Sequence, residues 1–189
     1  MVDIRYTHRV ALSPTAYRFT VKDYHRMAEA EIFDPEDRVE LIDGEVVEMS
    51  PMGSRHAACV SRLSHLLMPQ AGERMIVRSQ LPIQVGDFSE PEPDIALLRW
   101  RDDFYADHHP MPADVHLVIE VADTSLRHDL VRKAPLYIAG GVPEVWVLDL
   151  VAEVVHVIRG ADSQQLRAGD SLAPLAFPDL VLEVAAILP

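Results

Sequence analysis

Residues 93–98 read PDIALL and residues 116–133 read HLVIEVADTSLRHDLVRK. Each apolar run carries a single carboxylate: Asp94 opens the first and Glu120 stands near the end of the second. Lys133 follows thirteen residues after Glu120, in a stretch with helical character. Along 116–122 the side chains alternate, with Leu117, Ile119 and Val121 on one face and His116, Val118, Glu120 and Ala122 on the other. Acids within such runs are costly to bury unless they are paired or hold a cation. If Asp94 lies on a neighbouring strand, the two carboxylates approach, repel and push one pKa up. A divalent cation removes that conflict, and hard oxygen donors suit Mg²⁺ or Mn²⁺. Such a site polarises a phosphoryl oxygen and lowers the pKa of bound water. Lys133 shares a helix face with Asp129 and Tyr137, and its long stem can return the ammonium over the end of the Glu120 strand.

Outward from this stretch, Thr20 is an N-cap for a helix over 21–33, ended by Asp34 and Pro35. Two alternating runs in RVELIDGEVVEM flank Asp43-Gly44, which predicts a hairpin with a type I′ turn. A helix is expected from Ser54 to Leu67, with Pro69 and Gly72 marking its end. Residues 76–85 read as an edge or bent strand because Pro82 lies inside. Residues 99–114 form the longest irregular connection. A helix from Arg127 to Ala139 is capped by Ser125 or Thr124, kinked or split by Pro135 and stopped by Gly140-Gly141. Runs 144–149 and 153–158 suggest a second hairpin, and the last thirty residues an edge strand and a short cap. The order predicts a mixed α/β or α+β fold, a central sheet with helices on its faces.

With 189 residues, the chain is expected to form one domain over 1–189, with residues 1–19 as an arm. The lone Cys59 excludes an internal disulfide framework and a cysteine-based zinc cluster. No run approaches the roughly 18 apolar residues of a membrane span, and the N-terminus lacks the features of a signal peptide, so a cytoplasmic location is expected. The net charge of −13 opposes broad attraction to nucleic acid or anionic membrane.

Each central residue also has an ordinary reading. Asp94 can be a turn aspartate after Pro93, Glu120 an edge-strand charge, and Lys133 a solvated helix residue paired with Asp129. Their joint order carries the functional reading. His56 reads alone as structural or solvated, Trp146 and Tyr137 as core aromatics, and Cys59 as buried and inert. Arg78 and Gln80 lie on a segment able to line a cleft, Arg78 as a phosphate contact. His108-His109 lack the helical spacing of a zinc motif.

ELIDGEVVEMSP, PEPDIALL and VIEVADTSLRHDLVRKAPLYIAGGVPEVWVLD together resemble the Uma-two family of restriction-endonuclease-like proteins, within the PD-(D/E)XK nuclease superfamily. The resemblance runs from about Tyr17 to about Arg159. It implies a restriction-endonuclease-like fold with Asp94 and Glu120 as metal-binding acids, the carbonyl of Val121 as a further ligand, and Glu40 as an additional acid. The lysine of the superfamily pattern, two residues after the acid, is Ala122 here, and the resemblance implies that Lys133 takes its place.

The expected function is a Mg²⁺-dependent endonuclease hydrolysing DNA phosphodiester bonds, with Mn²⁺ as an alternative ion and DNA as substrate. A homodimer is expected by analogy, because two cuts need two sites. Two other classes compete: a catalytically silent nuclease fold that binds a partner, and a metal-dependent phosphodiesterase of small substrates.

Overall fold

The computed structural model describes residues 16–34 and 36–188. Most of the expected N-terminal arm and the expected helix-ending Pro35 therefore lie outside the described residues. Helix α1 (Val21–Glu29) starts at a capping box, in which Thr20 Oγ1 accepts from the Asp23 amide and the Asp23 carboxylate accepts from that of Thr20. It ends earlier than the apolar spacing predicts, because Glu31 turns to φ 54°. Strands β1 (Val39–Ile42) and β2 (Glu45–Glu48) form the expected hairpin, pairing Ile42 with Glu45. Asp43 and Gly44 supply the two positive φ angles, 52° and 79°, that the tight turn requires.

Helix α2 (Ser54–Ala71) runs through Pro69 instead of stopping before it. The proline removes one hydrogen bond in the last turns, and the helix ends only where Gly72 adopts φ 49°. Strand β3 (Met75–Ser79) is shorter than expected. Gln80 leaves the strand with φ 53° and donates its amide to the carbonyls of Pro93 and Asp94, so Pro82 falls outside the sheet.

Strands β4 (Ile95–Arg99), β5 (Val115–Ala122), β6 (Val145–Asp149), β7 (Val154–Arg159) and β8 (Asp162–Leu166) follow β3 in one six-stranded sheet, ordered β3-β4-β5-β6-β7-β8. The β5/β6 pair is parallel and the other neighbours are antiparallel. A parallel pair needs a long crossover, and here it is helical: α3 (Leu126–His128), a π-helical turn (Asp129–Lys133) and α4 (Ala134–Gly140). Ser125 makes no side-chain cap to the backbone. Pro135 does not split the helix; the wider π turn immediately before it relieves the clash between its ring and the preceding turn. Gly141 ends the crossover in the left-handed conformation. The tail adds β9 (Ser171–Leu172), β10 (Leu182–Glu183) and α5 (Val184–Ile187).

The alternation in β5 sorts two apolar layers. Leu117, Ile119 and Val121 pack with Cys59, Leu63 and Leu67 of α2 and with the C-terminal segment. Val118 and Ala122 pack on the other face with Ala134 and Tyr137 of α4. Burying a side chain such as Leu117 or Ile119 contributes about 1.5–3 kcal/mol. Both strands bearing the acids are thus clamped from two sides, and Glu120 is directed toward the crossover helix.

Candidate active site

The last β4/β5 pair at this end of the sheet is Ile95 with Ile119. Asp94 immediately precedes β4 and so sits at this end of the ladder, where it borders the same cleft as Glu120. The two acids sit in different surroundings. Glu120 is 3% exposed. Its Oε1 accepts from Tyr137 Oη at 2.6 Å and lies 3.0 Å from Lys133 Nζ. Among the described residues no hydrogen bond reaches its Oε2. Asp94 is part-exposed; its Oδ2 accepts from the Val121 amide at 2.8 Å and lies 3.0 Å from His56 Nε2. Among the described residues its Oδ1 has only a 3.5 Å contact from Gln80 Nε2.

Lys133 Nζ also lies 3.1 Å from Glu40 Oε2, so one buried ammonium links Glu40 of β1 to Glu120 of β5. Glu40 further accepts from the Glu92 amide at 3.1 Å, and His128 Nε2 stands 3.7 Å from its other oxygen, an ion-pair separation rather than a hydrogen bond. Asp129 is buried beside them and accepts from Ser125 Oγ at 2.5 Å. The expected helix face of Asp129, Lys133 and Tyr137 is therefore turned inward onto the acids.

Burial pushes the Glu120 carboxyl up to about 8, with the nearby Lys133 acting against it and the Asp129 and Asp94 charges adding to it. Burial also raises Asp129 and Glu92. For Lys133, burial acts to lower the pKa, but the carboxylates of Glu120, Glu40 and Asp129 outweigh it and hold the ammonium protonated. Burial would raise Glu40, yet His128, Lys133 and the Glu92 amide bring it below its ordinary value. The hydrogen bond to Asp94 raises His56.

These groups line a cleft of about 470 Å³, walled by the β2–α2 connection on one side and by residues 123–129 on the other. Asp94, Glu120, Val121, Lys133 and Glu40 all border it, as do His56 and Gln80. Arg78 does not: it is part-buried on β3, where burial lowers its pKa. The sequence offered no way to foresee that the chain turns at Gln80 and separates the two. Trp146 and Cys59 are core residues as expected. Tyr137 is equally buried, but its hydroxyl serves Glu120, a role its apolar setting did not announce. His56, unremarkable alone, is the partner of Asp94.

A mixed sheet brings Asp94, just before β4, and Glu120, within β5, to one cleft with a lysine returned by the crossover helix, and the fold is that of a nuclease-like protein. The chain matches the Uma2 family, described as "Putative restriction endonuclease", over residues 21–185, and it belongs to that family. Its fold is similar to that of a protein from Anabaena variabilis ATCC 29413 described as "a putative nuclease belonging to DUF820". That similarity has a TM-score of 0.72 at 17% identity and covers 89% of this chain and 97% of the other. No curated protein matches the chain. Among the described residues no helix is long and apolar enough to cross a membrane.

Proposed function

We propose that this protein is a divalent-metal-dependent endonuclease that hydrolyses DNA phosphodiester bonds in the cleft at the ends of β4 and β5. The observation that carries the reading is the Glu40–Lys133–Glu120 bridge, in the same cleft as Asp94. The donor set fits a hard cation. Asp94 Oδ1 and Glu120 Oε2 retain lone pairs toward the cleft, and the excess of carboxylates over buried ammonium is of the sign a cation relieves. Because the Val121 amide points to Asp94, the carbonyl of Val121 shares that edge of the strand.

Asp94, Glu120 and the Val121 carbonyl would hold Mg²⁺ or Mn²⁺, which when bound supplies Lewis-acid polarisation of the phosphate and a more acidic water. Lys133 stabilises negative charge on the phosphate or positions the attacking water, and its charge is secured by two flanking carboxylates. Glu40 orients Lys133, while Tyr137 holds Glu120 Oε1. His56 and the Val121 amide fix the rotamer of Asp94.

Plasmid nicking with Mg²⁺ or Mn²⁺ tests this, comparing the wild-type protein with Asp94→Asn, Glu120→Gln and Lys133→Ala. Equal cutting by all four, or none across varied substrates and metals, overturns it. A homodimer is part of the reading, since paired cuts need paired sites; sedimentation checks it.

One observation favours a second substrate class. Glu48, Glu92 and Asp123 line the same cleft, and the chain carries a net charge of −13. Both disfavour a long polyanion more than a small phosphodiester. Turnover of bis(p-nitrophenyl) phosphate or a dinucleotide without plasmid cutting, abolished by Asp94→Asn, selects that alternative.

A further inference from the structure

Outside the lining of the cleft, three residues far apart in sequence converge. Ligand atoms of His25, Glu90 and His109 all lie within 4.8 Å of one another. His25 Nε2 is 2.7 Å from Glu90 Oε1, and the His25 and His109 rings meet edge to face at 6.2 Å. Glu90 is only 4% exposed, and its Oε2 is buried without a hydrogen-bond partner among the described residues. A buried carboxylate oxygen left unsatisfied is costly. A bound cation would remove that cost.

We propose that His25, Glu90 and His109 form a second metal site, separate from the catalytic cleft, for a borderline divalent ion of the Zn²⁺ class. Two imidazoles and one carboxylate suit Zn²⁺ or Co²⁺, whereas Mg²⁺ prefers an all-oxygen shell. In tetrahedral zinc coordination the donor atoms stand about 3.3 Å apart, within the observed spread. The fourth position remains for water, since His25 faces solvent.

The supports are already in place. His25 rides on α1, whose first turn is fixed by its capping box. The Glu90 amide donates to the Leu41 carbonyl at 2.8 Å, and Gln84 donates to the carbonyl of Pro110, next to His109. The ion ties α1, the segment before β4 and the 99–114 connection together. The role is structural: the ion closes two long loops of chain at a point where the described residues leave Glu90 half satisfied. His109 lacks a helical motif partner, and its partners come from remote segments instead.

Titration of chelator-treated protein with Co²⁺, followed by its visible absorption, tests the proposal. The wild-type chain, Asp94→Asn and Glu120→Gln are expected to share the same intense tetrahedral Co²⁺ band, from one ion at this site. Glu90→Gln and His109→Ala should weaken that uptake at least 100-fold, and Zn²⁺ should raise the Tm of the wild type but not of His109→Ala. If Glu90→Gln misfolds, as far-UV circular dichroism would show, His25→Asn on the exposed helix replaces it. Unchanged Co²⁺ affinity and spectrum in His25→Asn and His109→Ala would overturn the site. Loss of the spectrum in Asp94→Asn alone would also overturn it, by assigning the ion to the cleft.

Discussion

Two buried glutamates, Glu120 within the parallel β5/β6 ladder and Glu144 just before β6, differ in how they are satisfied. Glu144 is fully buried. Its Oε1 accepts from Trp146 Nε1 and from Arg159 Nε and Nη2, at 2.7–2.9 Å, and its Oε2 accepts from the Leu175 amide at 2.7 Å. Both oxygens are spoken for, and the network ties β6 and β7 to the C-terminal segment. Glu120 has one oxygen held by Tyr137 and Lys133 and the other, at a cleft, without a hydrogen bond among the described residues. Burial alone therefore does not mark a functional acid. An incomplete set of partners, next to other acids and open space, does.

The largest expected effect lies in catalysis. Asp94→Asn, Glu120→Gln and Lys133→Ala should each lower the nicking rate by roughly 10²–10⁴-fold, whereas Glu144→Gln should leave the rate of folded protein unchanged. Comparable losses in all four would erase the distinction between the two glutamates.

Stability should show the reverse. Glu144→Ala strands Arg159 and two backbone or indole donors, and should cost about 3 kcal/mol in urea denaturation. Glu120→Gln removes a charge that burial already disfavours, and should change stability by no more than about 1 kcal/mol. A larger loss from Glu120→Gln would make it a structural ion pair like Glu144.

The third contrast is pH dependence. Burial lifts Glu120 from 4.5 to about 8, so between those values the folded chain keeps a proton that the unfolded chain has released. Stability therefore falls as pH rises through that window, by at most about 1.4 kcal/mol per pH unit for each such proton. Glu92 and Asp129, also raised by burial, add to the fall from its acid side. Glu40 acts only below its ordinary 4.5 and Lys133 only above 10.5. Denaturation from pH 5 to 8 should show a shallower slope in Glu120→Gln, and saturating Mg²⁺ should flatten that of the wild type.

The smallest effect belongs to Tyr137→Phe. It deletes one of two partners of Glu120 Oε1, and should cost about 1 kcal/mol with a several-fold loss of nicking. No change in either would mean that Lys133 alone orients Glu120.

Much of this was legible in the residues. Period-2 alternation in 116–122 sorted these side chains onto the two faces that the structure packs into separate apolar layers, because a strand must send successive side chains to opposite sides. Asp43-Gly44 specified its turn through the positive φ that few other pairs tolerate. Helix ends were less legible. Pro69 was absorbed near a C-terminus, and Pro135 was absorbed by a π turn, since tertiary packing of the apolar face outweighed local preference.

For the candidate site, the sequence by itself determined which acids lie in apolar strands, which lysine follows them, and the family in whose pattern they stand. Only the tertiary structure decided that Glu40 and Glu120 share the Lys133 ammonium, that His56 pairs with Asp94, and that Arg78 lies apart. Pairings within one strand or helix follow from fixed local periods. Contacts between β1, α2, β5 and the crossover helix depend on how those elements pack, and no local spacing encodes that distance.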